Sequence, residues 1–271
     1  MLSAVLVAGL VVTQPSTGRR GMAVARPLAR ELSLILALYG LWRIAGQLSL
    51  VRLDGALARG RSLWDLERTL HIPSEAALQR AVLPHSWLVQ FCNGYYALAH
   101  VPSLIALLLW LWIRHRDEYP RIRNVLALGT GACLAIQLLP VAPPRLLPGI
   151  GIVDTPALYH QSVYTAVGRG AADQLSAMPS VHVAWAVLIG VAGFRIATGR
   201  WRWLPVAHAV ITILVVAITG NHFWLDGVGG VAVFALCVLI LPNPPETWSD
   251  SGDLRTDLAK FRRTLAELDQ S

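Results

Sequence analysis

The chain has 271 residues, of which 55% are apolar and only 14% are charged. Soluble domains average about 45–50% apolar and about 25% charged residues, so this composition argues against a water-soluble globule, a disordered chain and a fibrous repeat. The net charge is +7, and the charged residues flank apolar runs instead of forming one stripe. That arrangement favours anionic lipid over nucleic acid as the partner.

The apolar residues fall into runs long enough to cross a membrane, since a spanning helix needs about 20 mostly apolar residues. We predict an all-α polytopic membrane protein with a six-transmembrane-helix bundle. The six runs are residues 30–50, 88–113, 123–141, 180–198, 203–220 and 224–241. The second run contains Pro102, which predicts a kink or a tilted entry into the membrane.

The segments around this 30–241 membrane domain are interpreted from their charge and spacing. We expect residues 1–29 to be cytoplasmic and poorly ordered, and either Met1 or Met22 is the start. Residues 51–85 mix arginines with acids at helical spacing, which predicts one or two short interfacial helices on the outer surface. Residues 242–271 open with PNPPE and become amphipathic, which predicts a cytoplasmic helical tail.

The basic residues are distributed unevenly between the two predicted sides. Fifteen lie in the tails and in the loops after spans two and four, whereas seven lie in the loops on the other side. Because cytoplasmic loops are enriched in positive charge, we predict cytoplasmic termini in the plasma membrane. The starts of spans four and six then share the outer side.

The segment SAMPSVHVAWA carries His182 at the start of span four. Pro179 suits the first turn of a helix, which would put Ser180 and His182 in that turn. Backbone N–H groups at a helix start form an anion site, and a hydroxyl and an imidazole beside it would bind and protonate a phosphate. The alternative is a helix cap with an incidental histidine.

The segment TGNHFWLDGVGG carries His222 and Asp226 four residues apart, on one face of a helix start. A carboxylate that accepts one imidazole N–H sets the tautomer and makes the other nitrogen more basic, as in a histidine base or nucleophile. An unpaired carboxylate beside an apolar span is costly, which also favours the pair. The alternative is a structural pair at the membrane edge.

The shared outer side allows both histidine segments to meet the 142–179 loop, which contains Arg145. We therefore expect Arg145, His182, His222 and Asp226 to converge on a negatively charged substrate. Two histidines and an aspartate would also suit zinc, but the arginine and the helix start favour an anion. No metal and no other cofactor is predicted.

Three further side chains are candidates for substrate contacts. Arg43, inside the first span, either snorkels to the outer interface or faces the site as a second phosphate contact. Tyr96 and His100 lie four residues apart in span two, and we predict that they line a substrate groove.

The MPSVH and GNHFWLD segments resemble the second and third signature motifs of the type 2 phosphatidic acid phosphatase superfamily. They are most similar to its branch related to inositol phosphorylceramide synthase and sphingomyelin synthase. The resemblance covers about residues 60–241, including Asn93 to Pro102 and the APPRLLP stretch. It implies a core of six transmembrane helices and a metal-independent reaction through a phosphohistidine.

The resemblance also implies roles for individual residues. By position, His222 would be the nucleophile, Asp226 would orient it, and His182 would protonate the leaving group. Ser180 and nearby backbone N–H groups would hold the phosphoryl oxygens. We add Asn221, in the third motif, to the predicted substrate contacts.

The sequence departs from the family pattern mainly at charged positions. Val181 replaces the usual Gly of the second motif, and Val216 replaces an Arg of the third. In the first motif Leu138 stands in place of a Lys, and Arg145 is followed by Leu146 instead of Pro. The loss of two positive charges disfavours phosphomonoester hydrolysis and fits transfer of a phospho-head group that carries less negative charge.

We therefore predict an integral-membrane lipid phosphotransferase or phosphatase that acts on a phospholipid or polyprenyl phosphate at the outer leaflet. The favoured reaction is transfer of a phospho-head group to a lipid alcohol. A simple lipid phosphate or polyprenyl diphosphate phosphatase is the alternative in the same class, and an anionic-lipid transporter is the alternative from another class. Membrane lipids are the predicted partners, nucleic acid is not, and the oligomeric state stays open.

Overall fold

The computed structural model describes residues 55–162 and 174–242, together with Ser33, Leu36 and Gly40. Within these ranges the regular elements are helical, which confirms the all-α prediction for this part of the chain. The helices are α1 (Ala56–Thr69), α2 (Glu75–Val82), α3 (Ser86–Leu98), α4 (His100–Arg114), α5 (Tyr119–Ile136), α6 (Thr155–Leu158), α7 (Val181–Ile196), α8 (Trp203–Ile218) and α9 (Trp224–Ile240). The predictions for residues 1–29, for Arg43 and the rest of the first span apart from Ser33, Leu36 and Gly40, and for residues 243–271 lie outside the described residues.

The described helices include fewer long apolar ones than six spans require. Gly199–Ile218 is long and apolar enough to cross a membrane, and the bent pair of α3 and α4 is a second candidate if it is taken as one span. The helices α7 and α9 are apolar but shorter. Helix length in the described ranges therefore does not establish the six-span bundle.

The second predicted span is bent, as its proline predicts. Helix α3 ends at Leu98 and α4 begins at His100, with an angle of 49° between them. Pro102 lacks an amide donor, and its ring clashes with the carbonyl one turn earlier, which belongs to Leu98. The break therefore lies one turn before the proline and places His100 at the start of α4.

Helix α7 lies at the centre of the described bundle. It packs most extensively against α8 and also contacts α9, α4 and α5. Small residues permit the close approach to α8, since Gly190 faces Ala209 and Gly193 faces Pro205. The first turn of α7, which carries His182, is consequently surrounded by several other helices.

The two short helices predicted within residues 51–85 are present as α1 and α2. They pack over the end of the bundle where α9 begins, and α1 contributes Leu63 and Trp64 to a cluster around Phe223. Gln79 of α2 is buried, and its Nε2 donates to the carbonyls of Val153 and Ile218 at 3.0 and 2.9 Å. Gln79 thus joins α2 to the end of α8 and to the segment before α6. The location of α1 and α2 on an outer membrane surface stays a prediction.

Candidate active site

His222 lies in the turn between α8 and α9 and is only 4% exposed. The turn is shaped by Gly220, whose φ of +64° is left-handed and favours glycine, and by the Asn221 and His222 amides, which donate to the Val216 carbonyl. The His222 Nδ1 atom lies 2.8 Å from the carbonyl oxygen of Ala177. Because a carbonyl only accepts, Nδ1 carries the proton and Nε2 keeps its lone pair in the neutral ring.

Asp226 is fully buried in the first turn of α9. Its Oδ2 accepts the Phe223 amide at 2.8 Å and lies 3.6 Å from His222 Nδ1. The Ala177 carbonyl is therefore the nearer partner of that ring nitrogen, and the Asp226 carboxylate is a second, longer contact. Asp226 adds a negative charge beside the ring, and its own carbonyl accepts the Ser180 amide at 2.8 Å.

The helix that carries His182 begins two residues later than predicted. Helix α7 starts at Val181, not at Pro179, and Ser180 is its N-cap, with Oγ accepting the Val183 amide at 3.3 Å. Serine is a preferred cap because its side chain satisfies an amide at the helix start. Ser180 is therefore a buried helix cap that is tied to the first turn of α9.

The two histidines meet, as the shared side of their helix starts predicts. His182 Nδ1 lies 3.4 Å from His222 Nε2, and the ring centroids are 5.6 Å apart. A neutral nitrogen with a lone pair thus faces a second imidazole that is able to carry a proton. This pairing is suited to nucleophilic attack by one ring and proton transfer by the other.

The span-two residues also reach this pair. The Tyr96 ring lies 4.8 Å from the His182 ring and 6.4 Å from the His222 ring, centroid to centroid. The His100 ring lies 4.7 Å from that of His182. Both side chains are buried, so they enclose the histidine pair on the side of α3 and α4.

Arg145 is buried and contacts Asn221, the residue before His222. Its Nε donates to Asn221 Oδ1 at 3.0 Å, and Nη1 donates to Asp154 Oδ2 at 2.9 Å. Both terminal nitrogens also lie 3.3 Å from Gln174 Oε1. The predicted phosphate contact is therefore an arginine whose charge is balanced by Asp154, an acid that the sequence pattern did not single out.

Metal ligation finds no support in the part of the chain that the structure describes, because no group of three or more His, Cys, Asp or Glu side chains there is arranged to hold an ion. Cys92, Cys133 and Cys237 are buried and free. The functional groups that the described site brings together are imidazole, carboxylate, guanidinium and backbone amide groups.

Two acids that sequence reasoning missed hold the start of α9. Glu67 Oε1 accepts the Leu225 amide at 2.8 Å, and Glu75 Oε1 accepts the Trp224 amide at 3.4 Å. Both side chains are fully buried, and Arg68 Nη2 lies 3.5 Å from Glu67 and 3.3 Å from Glu75. Carboxylates at a helix N-terminus satisfy its free amides, so the two acids fix the helix that carries Asp226.

The acid pair predicts a pH-dependent stability. Burial and the adjacent Glu75 carboxyl raise the pKa of Glu67 from 4.5 to about 9. A raised carboxyl pKa stabilises the folded chain fully below pH 4.5, and this contribution is lost as the pH rises toward about 9. We expect the free energy of unfolding to fall as the pH rises across that interval, because the folded chain binds this proton more tightly than the unfolded chain. Glu67→Gln, which mimics the protonated acid, should flatten the profile.

Thermal unfolding of the purified protein between pH 5 and pH 9 measures this effect. Asp65→Asn is the matched control, because Asp65 lies on the same helix with a side chain that is 67% exposed. The control should keep the pH dependence of the parent chain. Equal slopes for the parent and Glu67→Gln would contradict the assignment.

The fold and the site together define an all-helical protein, in its described part, in which the buried His222 meets the half-buried His182 where two helices begin. The sequence profile of the PAP2 superfamily matches residues 61–240, which include both histidine segments, and the chain belongs to that superfamily. Membership implies a phosphatase-type enzyme that acts on lipid phosphates, and members are usually membrane proteins. Comparisons with curated proteins and with solved structures return no significant match.

Proposed function

We propose that this protein transfers a phospho-head group from a phospholipid to a lipid alcohol, through a phosphohistidine on His222. The observation that carries the proposal is the 3.4 Å approach of His222 Nε2 to His182 Nδ1, with the opposite nitrogen of His222 bonded to Ala177. That arrangement keeps a lone pair on Nε2 of His222 and places His182 beside it as an acid. The proposal requires no metal.

In the first step, His222 Nε2 attacks phosphorus and an N–P bond forms. The bond from phosphorus to the leaving alcohol oxygen breaks, and His182, which enters as imidazolium, gives that oxygen its proton. His222 Nδ1–H continues to donate to Ala177, and the nearby Asp226 carboxylate offsets the positive charge on the phosphorylated ring. Backbone amides at the start of α7 are available for the phosphoryl oxygens.

In the second step, the acceptor alcohol attacks phosphorus and its proton passes to His182. The N–P bond breaks, a new P–O bond forms, and both histidines return to their starting protonation states. Water in place of the alcohol would give hydrolysis by the same route. The choice of acceptor therefore depends on how well water is excluded from the pair.

The charge of the site favours a phosphodiester over a phosphomonoester. Arg145 is paired with Asp154 at 2.9 Å, and Val216 and Leu138 occupy positions where the superfamily usually has cations. A monoester brings up to two negative charges, whereas a phosphodiester brings one. Because Asp154 balances the charge of Arg145, the site has little positive charge left to neutralise a substrate. This supports the branch of the superfamily that transfers phospho-head groups.

The surface of the described helices supports contact with lipid. Val101, Ile105, Leu109 and Ile113 lie one turn apart on α4 and are 50–63% exposed. Leu239 near the end of α9 is 82% exposed. Contiguous exposed apolar faces mark membrane or partner contacts, and we assign these faces to lipid. The proposed topology is the predicted six-span bundle in the plasma membrane, with both termini cytoplasmic and the histidine pair at the outer leaflet.

A trapping experiment tests the proposal. The purified protein is mixed with phospholipids labelled at phosphorus and quenched in base, where phosphohistidine survives and phosphoester-linked serine or threonine does not. We expect an acid-labile label on His222 that is absent from His222→Ala. Added diacylglycerol should remove the label and receive the head group.

The competing functions give different products in the same experiment. Release of inorganic phosphate, or of the phosphorylated head group, to water at an unchanged rate when diacylglycerol is added would overturn transfer in favour of a phosphatase. Movement of intact labelled lipid between leaflets with no labelled protein would overturn the enzyme in favour of a transporter.

A further inference from the structure

His100 is a buried histidine whose ring nitrogens lack partners within the described residues. Its side chain is 4% exposed, and neither Nδ1 nor Nε2 has a hydrogen-bond partner there. The ring is covered by aromatic groups, with centroids at 4.7 Å for His182, 5.7 Å for Tyr96 and 6.1 Å for Tyr95. A buried polar group without a partner is costly, so the position points to a ligand that supplies the missing bonds.

The chemistry of the ring restricts that ligand. A neutral imidazole presents one donor and one acceptor, and a hydroxyl group is likewise both a donor and an acceptor. A phosphate oxygen without a proton only accepts and bonds only the protonated nitrogen, whereas two hydroxyls of a polyol accept from one ring nitrogen and donate to the other. Asp226, the buried acid of the site, contacts Phe223 and His222, and within the described residues no carboxylate bonds His100 and favours its charged form. The unsatisfied pair of nitrogens therefore matches an alcohol better than an anion.

We propose that His100 binds a hydroxyl of the polyol head group that stays esterified to phosphorus during transfer. This inference rests on the proposed function and deepens it by naming the class of head group. His100 is next to His182, which is next to His222, so an alcohol attached to a phosphoryl group on His222 extends toward His100.

A pair of lipids that differ only in head-group hydroxyls tests the inference. Phosphatidylglycerol and phosphatidylpropanol both carry three-carbon head groups, and only the first has free hydroxyls. Release of diacylglycerol from each lipid in mixed micelles is measured for the parent protein and for His100→Phe. We expect the parent to release diacylglycerol from phosphatidylglycerol about tenfold or more faster than from phosphatidylpropanol. In His100→Phe the two rates should differ by no more than about twofold.

Two further variants separate binding from folding. His100→Gln keeps a donor and an acceptor and should retain part of the preference. His208→Phe is the matched control, because the ring of His208 lies 6.4 Å from that of His100 and its Nδ1 is bonded to the Tyr95 hydroxyl at 2.6 Å. This control should keep the parent ratio.

The outcomes distinguish this inference from the proposed function. Equal loss on both lipids in His100→Phe, or an unchanged ratio, would overturn the head-group site while leaving the phosphohistidine reaction in place. Failure of the parent to form phosphohistidine and to release diacylglycerol from either lipid would overturn both proposals.

Discussion

His222→Ala is expected to lower turnover of phospholipid at least about a thousandfold and to abolish the phosphohistidine. The variant removes the ring whose Nδ1 is bonded to the Ala177 carbonyl and whose Nε2 would form the N–P bond. Steady-state release of diacylglycerol, together with base-stable labelling of the protein, measures both effects. His85→Ala, at an exposed position before α3, should retain full activity.

The same assay tests whether the two histidines act together. His182→Ala should lose about a hundredfold to ten-thousandfold, because the leaving oxygen is no longer protonated. When two residues serve the same chemical step, the effects of substituting them do not add. The double variant should therefore be no slower than His222→Ala. A double variant slowed by the product of the two single effects would show that the histidines serve independent functions.

Gly230→Ala is expected to destabilise the protein by about 1–3 kcal/mol and to reduce activity much further. Gly230 lies on α9 where a Cβ atom would overlap the backbone carbonyl oxygen of Ser180. The methyl group would push α9 away from the start of α7, although the Ser180 amide must donate to the Asp226 carbonyl at 2.8 Å. The displacement would separate His182 from His222, which lie 3.4 Å apart.

The neighbouring glycine provides a matched control for this substitution. A Cβ atom at Gly229 would meet Met178 Cε at 3.4 Å, which is an ordinary contact with the flexible end of a side chain. Alanine is favoured over glycine in helices by about 1 kcal/mol, so Gly229→Ala should be neutral or slightly stabilising. Thermal unfolding and diacylglycerol release compare the two variants, and similar losses in both would contradict the steric argument.

Much of the local structure was readable from the sequence. Apolar runs bounded by charged and polar residues predicted α5, α7, α8 and α9 within a few residues, and Pro102 predicted the bend between α3 and α4. These features depend on residues close to one another in the chain. The start of α7 was misplaced by two residues, because Pro179 was predicted to lie in the first turn, whereas Ser180 caps the helix and Val181 begins it.

The sequence predicted which residues form the candidate site, but it did not predict their hydrogen-bond partners. His182, His222 and Asp226 stand out because ionisable groups beside apolar runs are costly. No local pattern indicates that the Ala177 carbonyl accepts the His222 proton, because the two residues are 45 positions apart. The partnership of Arg145 with Asp154 was missed for a different reason: the acid lies only nine positions away but outside any recognisable motif.

Composition and spacing by themselves determined that this is an apolar, helical protein with two histidine segments suited to phosphate chemistry. Tertiary structure alone decided which groups surround those histidines. Glu67 and Glu75 illustrate the difference, since in sequence they belong to short polar helices of the kind that usually face solvent. In the folded chain they are fully buried and accept the first amides of α9. The physical reason is that a helix start leaves amides unpaired, and only the packing of distant elements determines which side chains satisfy them.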